Sequence, residues 1–228
     1  MRISLQCEFR QQTGGVLDIY LYSAVAPPHM DPKTGEHRDD GSVEGFRRLL
    51  DALPEAQEFN LHVNSCGGDV QEGYGICAAL HQHSARKTAY VDGIAASIAS
   101  AICMVCDRVV MYRNSVMVIH NMSRSVCGDA AELRKAADDL DKMMEGNRQM
   151  YLRKAGSKLT EARLIEMLDQ ETTLTATEAL ACGLCDEILD SEPEPAGEAR
   201  QALARMVQAL HAQPAGRVFK FLGLKKEE

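Results

Sequence analysis

Hydrophobic and polar positions along the chain follow two different periods. Short runs rich in β-branched, aromatic and aliphatic residues predict strands at 18–25, 59–63, 88–91, 108–112, 116–119 and 184–189. Between them, apolar residues recur three and four positions apart, which predicts helices at 43–53, 69–83, from about 97, 129–154, 160–168 and 175–182. Because strands and helices alternate, we expect parallel β-α-β units and an α/β fold.

Two helix starts carry a capping-box pattern, in which a side chain at the helix start and a carboxylate three residues later satisfy each other's backbone N–H groups. The pairs are Asp129 with Glu132 and Thr175 with Glu178. The helix that begins near Asp129 is the longest, and its apolar stripe consists of Leu133, Ala137, Leu140 and Met144. One small domain would struggle to cover this stripe alone, so we expect the protein to be an oligomer.

The character of the chain changes after residue 190. Residues 191–198 form an acidic, proline-bearing linker, and residues 203–210 have the pattern of a short amphipathic helix. We therefore predict one domain over residues 1–190 and a linker with a C-terminal tail over residues 191–228. The tail is interpreted as a tethered peripheral segment, with docking to a partner as the alternative.

Charge and composition exclude several classes of protein. The formal net charge of −8 and the pI of about 5.4 argue against nucleic acid or an anionic membrane as the main partner, because both need a concentrated basic surface. The sequence contains no run of about 18 apolar residues, so it gives no sign of a membrane span. The N-terminal residues turn polar too early for a signal peptide. We therefore expect a cytoplasmic protein.

Eight cysteines raise the question of a zinc site. Cys103 with Cys106 and Cys182 with Cys185 both have the C-x-x-C spacing of zinc ligands. The two pairs stand about 76 positions apart, which is far outside the compact spacing of a zinc ribbon. Cys103 also lies in an apolar helical stretch, where cysteine behaves as a small hydrophobe. We therefore expect reduced, structural cysteines, with no metal and no organic cofactor.

Ser97 is the best candidate nucleophile in the chain. It lies where a strand gives way, through small residues, to a helix, and a helix N-terminus favours developing negative charge. The backbone N–H of Ile98 could then act as an oxyanion donor. The alternative is that Ser97 only caps a helix that packs against the sheet.

Two further features fit the same chemistry. Gly67 and Gly68 join a predicted strand to a helix, and such a pair can aim a free N–H at a ligand, although a simple tight turn is the alternative. His120 follows a predicted strand and is the best placed of the seven histidines to act as a base. The chain has no G-x-S-x-G elbow, so the residues alone leave these alternatives open.

Four segments in succession resemble the signatures of the ClpP peptidase family. They are the loop at 64–68 (Asn-Ser-Cys-Gly-Gly), the segment at 93–99 (Gly-Ile-Ala-Ala-Ser-Ile-Ala), Val-Ile-His-Asn at 118–121, and the pair formed by 174–179 and 183–186. The resemblance extends from about residue 18 to about residue 189. Four such motifs in the same order are far more specific than any one of them.

The resemblance implies a fold, an assembly and a site. The fold would be a crotonase-like, ClpP-like α/β domain with a protruding helical handle at about 129–155, and the assembly a homo-oligomeric ring, a heptamer or two stacked heptamers. It also implies that Ser97 is the nucleophile, His120 the general base and Glu171 the orienting acid, with Asp169 as the alternative acid. The oxyanion donors would be the N–H groups of Gly68 and Ile98.

Three features resemble the phage and prophage branch of that family more than its housekeeping members. The acid is a glutamate, the double glycine continues as Gly-Gly-Asp-Val, and the chain carries a C-terminal tail. This resemblance implies a serine endopeptidase, ATP-independent or unfoldase-assisted, that cleaves phage capsid or scaffold proteins during head maturation, in the host cytoplasm or at the procapsid. The alternatives are a non-catalytic ring or capsid-assembly component and a crotonase-type acyl-CoA enzyme.

Overall fold

The strands of the protein form one large sheet and one small hairpin. The computed structural model describes residues 10–11, 16–52 and 54–190. Within these ranges the strands are β1 (Arg10–Gln11), β2 (Val16–Leu21), β3 (His29–Met30), β4 (His37–Arg38), β5 (Glu58–Ser65), β6 (Arg86–Ala96), β7 (Arg108–Tyr112), β8 (Val116–Ile119), β9 (Thr172–Thr175) and β10 (Glu187–Leu189).

Most of the helices begin at capping residues that the sequence supplies. They are α1 (Val43–Asp51), α2 (Val70–Gln82), α3 (Ile98–Met104), α4 (Ala130–Ala155), α5 (Glu161–Asp169) and α6 (Ala176–Ala181), with a 3₁₀ turn at Gly156–Lys158. Asp69 caps α2 by accepting hydrogen bonds from two backbone N–H groups. The capping box predicted for Thr175 and Glu178 is confirmed at the start of α6.

The sheet is mixed but mainly parallel, and the predicted α/β fold with parallel β-α-β units is confirmed. Its main path runs β1-β2-β5-β6-β7-β10, and only β1 in this path is antiparallel to its neighbour. β8 continues alongside the far end of β6 in parallel, and β9 pairs with β8 in antiparallel fashion. β9 was not predicted, because Thr172–Thr175 has only four residues and lies directly after a helix, so its β-branched threonines form too short a run to stand out.

β6 is longer than its pattern predicted. We expected the strand to end at about residue 91, but it continues to Ala96. The extension is stabilised by a second partner, because Ile94, Ala95 and Ala96 pair with β8 after the earlier residues of β6 have paired with β7. Ser97 therefore directly follows the last residue of the strand.

The central strands are covered by apolar packing. Every residue of β8 is buried, as are all seven residues of α3. Side chains such as Leu61, Val63, Ala89 and Val109 are almost completely removed from water. A strand–helix junction held in such a core has little freedom to move.

The described residues divide into two compact units. The first contains the described residues up to Asn121 together with Gly146–Asp190, and the second contains Met122–Glu145. The predicted linker and tail at 191–228 lie outside the described residues, so the predicted domain boundary remains a prediction. No helix within the described ranges is both long and apolar enough to span a membrane.

The long helix α4 agrees closely with the predicted span of about 129–155. Its apolar stripe is less covered than a globular helix would require. Met144 is only 4% exposed, whereas Leu133 is 46% exposed and Ala137 is also exposed. Within this chain, the part of the stripe near Leu133 therefore faces water.

Candidate active site

Ser97 occupies a strained junction between β6 and α3. Its backbone has φ 55° and ψ −132°, a conformation that L-residues rarely adopt and that costs roughly 1–3 kcal/mol. The Ser97 N–H donates a 2.9 Å hydrogen bond to the carbonyl of Val118, so the β8 strand holds the junction in place. The side chain of Ser97 does not cap α3. The alternative that Ser97 is a plain helix cap is therefore wrong.

The double-glycine loop lies directly against Ser97. Gly67 has φ 82°, and a Cβ atom at this position would be 2.8 Å from Ser97 Cβ and 3.1 Å from Ile98 N. Any larger residue would clash with the nucleophile candidate and crowd the Ile98 N–H. The glycine loop therefore packs directly against Ser97 and leaves room there only for glycine.

The next residue, Gly68, is held from the opposite side by Val25. Val25 N donates to Gly67 O at 3.0 Å, and Asp69 N donates to Val25 O at 2.7 Å. These two bonds use the carbonyl of Gly67 and the N–H of Asp69, which is the pattern of a parallel bridge. In that pattern the residue between them directs its N–H to the other side, so the Gly68 N–H points away from Val25. A Cβ at Gly68 would lie 2.1 Å from Val25 O, so only glycine fits.

Two polar side chains that precede the glycines fasten the loop to the sheet. Ser65 Oγ donates to Ser23 O at 2.6 Å and accepts from Gly67 N at 3.1 Å. Asn64 Oδ1 accepts from Ile94 N at 3.3 Å. Asn64 and Ser65 therefore connect the glycine loop to neighbouring segments of the chain.

His120 stands half-buried at the end of β8. Its Nδ1 lies 2.7 Å from the backbone carbonyl oxygen of Asn121. A carbonyl can only accept, so Nδ1 is the donor in this contact. In the neutral ring Nε2 is then unprotonated, which is the tautomer that a general base needs.

The strand register brings the three predicted site residues to neighbouring strand ends. Ala96 pairs with Val118, which sets Ser97 beside the end of β8. Ile119 pairs with Thr172 in antiparallel fashion, so the next residues outward are His120 and Glu171. Glu171 itself has φ 49°, a second strained non-glycine residue, and lies between the end of α5 and the start of β9.

A histidine–carboxylate pair lies within the sheet. His62 Nδ1 is 3.0 Å from Asp92 Oδ2, and Tyr22 also donates to that carboxylate. The imidazole ring is stacked between Tyr20 and Tyr90, with centroid distances of 4.7 and 5.1 Å. His62 lies inside β5, whereas Ser97 lies beyond the end of β6, so this pair is separate from the strand ends.

The cysteines that motivated the zinc alternative lie in apolar surroundings. Cys103 and Cys106 are buried at the end of α3, and their sulfur atoms contact carbonyl oxygens of the same helix. Burial raises the pKa of Cys106 to about 12. Within residues 10–11, 16–52 and 54–190, no group of three or more His, Cys, Asp or Glu side chains is arranged to hold a metal ion.

Two hydroxyl groups behind Ser97 were missed by sequence reasoning. Ser100 Oγ donates to Ser97 O at 2.6 Å and contacts the hydroxyl of Tyr151 at 2.7 Å. Ser100 could have been noticed as a polar residue in an otherwise apolar helix. Tyr151 lies 51 positions further along the chain, and no local pattern connects it to Ser97.

The fold and this arrangement define a class of protein. It is a mixed α/β protein in which a serine at the end of one strand packs against a double-glycine loop, and a histidine and a glutamate adjoin the paired ends of two other strands. The family model described as Clp protease matches residues 46–192, which is more than half of the chain. The chain therefore belongs to the Clp protease family, whose members are serine-type peptidases.

Individual relatives agree with this assignment. The chain is 30% identical over 163 residues to the ATP-dependent Clp protease proteolytic subunit 1 of Protochlamydia amoebophila, covering 68% of this chain and 78% of the relative. It is 26% identical over 151 residues to the ATP-dependent Clp protease proteolytic subunit of Deinococcus radiodurans, covering 65% of this chain and 73% of the relative.

Proposed function

We propose that this protein is a serine endopeptidase in which Ser97 is the nucleophile, His120 the general base and Glu171 the orienting acid. The observation that carries the proposal is the strand register, in which Ser97 directly follows β6 while His120 and Glu171 adjoin the paired ends of β8 and β9. The family supports the same reaction class.

In the proposed mechanism, Ser97 Oγ attacks a peptide carbonyl while His120 Nε2 takes the hydroxyl proton. The negative oxygen that forms is stabilised by the N–H groups of Gly68 and Ile98. His120 then gives its proton to the leaving amine, and an acyl-enzyme remains on Ser97. Water, deprotonated by His120, attacks the acyl carbon. The C–O bond to Ser97 then breaks, the carboxylic acid product leaves, and His120 returns the proton to Ser97 Oγ.

The strain at Ser97 fits this role. Residues held in sparsely populated backbone conformations cluster at active sites, where the surrounding structure maintains them. Here the strained backbone leaves the side chain of the half-buried Ser97 beside the glycine loop, where it does not cap α3.

The test is covalent labelling with a fluorophosphonate, which reacts with activated serines. We expect wild-type protein to be labelled at Ser97 and the Ser97→Ala variant to lose both labelling and peptide hydrolysis while remaining folded. Ser157→Ala, at an exposed serine in the 3₁₀ turn, is the matched control and should behave like wild type. Unlabelled wild-type protein would contradict the proposal and favour a non-catalytic ring component.

We further propose polypeptide substrates drawn from the capsid or scaffold of a phage, and a homo-oligomeric ring of seven or twice seven subunits in the host cytoplasm or at the procapsid. The relatives are named as subunits of ATP-dependent proteases, so assistance by an unfoldase is one form of the proposal. Mass spectrometry of the protein co-expressed with the products of neighbouring genes tests the substrate. Cleavage confined to unrelated host proteins would contradict a role in head maturation.

A further inference from the structure

We propose that Ser100 and Tyr151 are positioning residues that aim the Ile98 N–H at the oxyanion, by holding the carbonyl of the same peptide group from behind. This inference rests on the proposed serine peptidase function. It assigns a role to two buried hydroxyl groups that do not contact the substrate.

The direction of the hydrogen bonds follows from the chemistry of the groups. The carbonyl oxygen of Ser97 can only accept, so the Ser100 hydroxyl, 2.6 Å away, is the donor. The Ser100 proton is then committed, and Tyr151, 2.7 Å from Ser100 Oγ, must donate its own. The bonds therefore run in one direction, from Tyr151 to Ser100 to the Ser97 carbonyl.

The Ser97 carbonyl belongs to the peptide group that also carries the Ile98 N–H. A trans peptide is planar, and its C=O and N–H point in opposite directions. Fixing the carbonyl of Ser97 therefore fixes the direction of the Ile98 N–H. The Ser100 N–H also donates to this oxygen at 3.0 Å, so two donors from one residue hold it.

This peptide needs support because its orientation is set by a strained residue. The ψ angle of Ser97 is −132° in combination with a positive φ, and a residue free to relax would rotate the following peptide. Donors on the carbonyl oxygen also polarise the amide and strengthen its N–H as a donor. The two bonds thus act on both the direction and the strength of the oxyanion contact.

The environment keeps the hydrogen-bond chain in one state. Ser100 is fully buried and Tyr151 is 2% exposed, so water does not compete for these hydroxyl groups. Burial also raises the pKa of Tyr151 well above its usual value, so its hydroxyl remains a donor across the working range of a peptidase. Tyr151 lies on α4 and Ser100 on α3, so the hydrogen-bond chain connects two helices.

The experiment compares Ser100→Ala, Tyr151→Phe and the double variant, using the rate constant of fluorophosphonate labelling. The phosphoryl oxygen of the probe occupies the position of the oxyanion, so this rate reports on the Ile98 N–H. We expect Ser100→Ala to lower the rate about tenfold, less than the loss of a whole oxyanion donor. Tyr151→Phe should lower it less, because Ser100 still donates to Ser97.

The double variant separates positioning from stability. Ser100→Ala alone leaves the Tyr151 hydroxyl buried without its partner and should lower the Tm, whereas removing both polar groups should restore much of it. Labelling should stay as slow in the double variant as in Ser100→Ala, because both changes act through one bond. On a fluorogenic peptide that the wild type cleaves, kcat should fall and KM should change little.

Tyr74→Phe is the matched control. The Tyr74 hydroxyl forms a hydrogen bond with Asn147, which lies on the same helix as Tyr151. The substitution removes the phenolic oxygen, as Tyr151→Phe does. We expect an unchanged labelling rate. Equal losses in Tyr74→Phe and Tyr151→Phe, or wild-type labelling in Ser100→Ala or in the double variant, would overturn the role of the two hydroxyl groups while leaving the serine peptidase intact. Unlabelled wild-type protein would overturn both.

Discussion

The side-chain amide of Asn121 donates a hydrogen bond of 2.7 Å to the carboxylate of Asp169. Asp169, the last residue of α5, was the alternative to Glu171 as the orienting acid. This contact gives the Asp169 carboxylate a partner other than the His120 ring. Glu171, in contrast, directly precedes Thr172, whose strand partner Ile119 directly precedes His120. We therefore predict that Glu171, rather than Asp169, is the orienting acid.

We predict that Glu171→Gln lowers kcat by about a hundredfold or more, whereas Asp169→Asn changes it little. The amide keeps the size of the side chain but cannot stabilise the imidazolium that forms during attack. The carbonyl of Asn121 can orient His120 but carries no full charge. Steady-state kinetics of the two variants provide the measurement, and the opposite ranking would transfer the acid role to Asp169.

We predict that Gly67→Ala lowers the fluorophosphonate labelling rate at least a hundredfold, comparable to the loss of an oxyanion donor. The new Cβ would be 2.6 Å from Ala96 O and 3.1 Å from Ile98 N, so it would displace the loop from the site. Gly35→Ala is the control, since Gly35 also has a positive φ but no atom lies within 4 Å of its Cβ position. It should cost about 1 kcal/mol of stability and no activity. Equal labelling of both variants would show that the loop does not border the nucleophile.

We predict that the free energy of unfolding falls as the pH rises from about 9 to about 12 in reducing buffer. Burial raises the pKa of Cys77 and Cys106 to about 12 from an ordinary value of 9.0. In this window the unfolded chain loses thiol protons that the folded chain retains, so unfolding becomes more favourable, by up to about 1.4 kcal/mol per pH unit for each thiol.

Urea unfolding at pH 8, 9 and 10 measures this effect. Cys106→Ala should show a shallower dependence on pH than wild type, whatever its stability at pH 8. Cys127→Ala, at an exposed cysteine, should keep the wild-type slope. Identical slopes in all three proteins would show that the buried thiols do not control alkaline stability.

We predict that the protein is an oligomer and that Leu133→Lys weakens the assembly. Leu133 is 46% exposed within the unit formed by Met122–Glu145, and Val126 in the same unit is 38% exposed. Burying such side chains against another subunit is the simplest way to cover them. Ala131→Lys adds the same charge to the same helix without removing a large apolar side chain, and it should assemble like wild type.

Light scattering at micromolar concentration provides the measurement. Wild-type protein should have a mass several times the 25.0 kDa of one chain, and Leu133→Lys should shift towards smaller species. A wild-type mass near that of one chain would contradict the ring, and unchanged assembly of Leu133→Lys would place the subunit contacts elsewhere.

Much of the secondary structure was predictable from the sequence because its signals are local. The bounds of β7 and β8 agree with their predicted spans, and the capping box at Thr175 marks the start of α6. A capping residue bonds N–H groups only two or three positions away, and apolar periodicity reflects the face that each element buries. The candidate residues Ser97 and His120 were found in the same way, from their positions at a helix start and a strand end.

The tertiary structure decided how these elements meet. The pairing of Ile119 with Thr172 joins segments more than fifty positions apart, and it sets His120 and Glu171 next to paired residues, although the four residues of β9 are too short a run to stand out in the sequence. The contact between Ser100 and Tyr151 is equally remote in sequence. Strand register and the pairing of buried hydroxyl groups depend on which surfaces come together in the core. The contacts that stabilise one arrangement over another form only between distant segments, so neither segment alone reveals them.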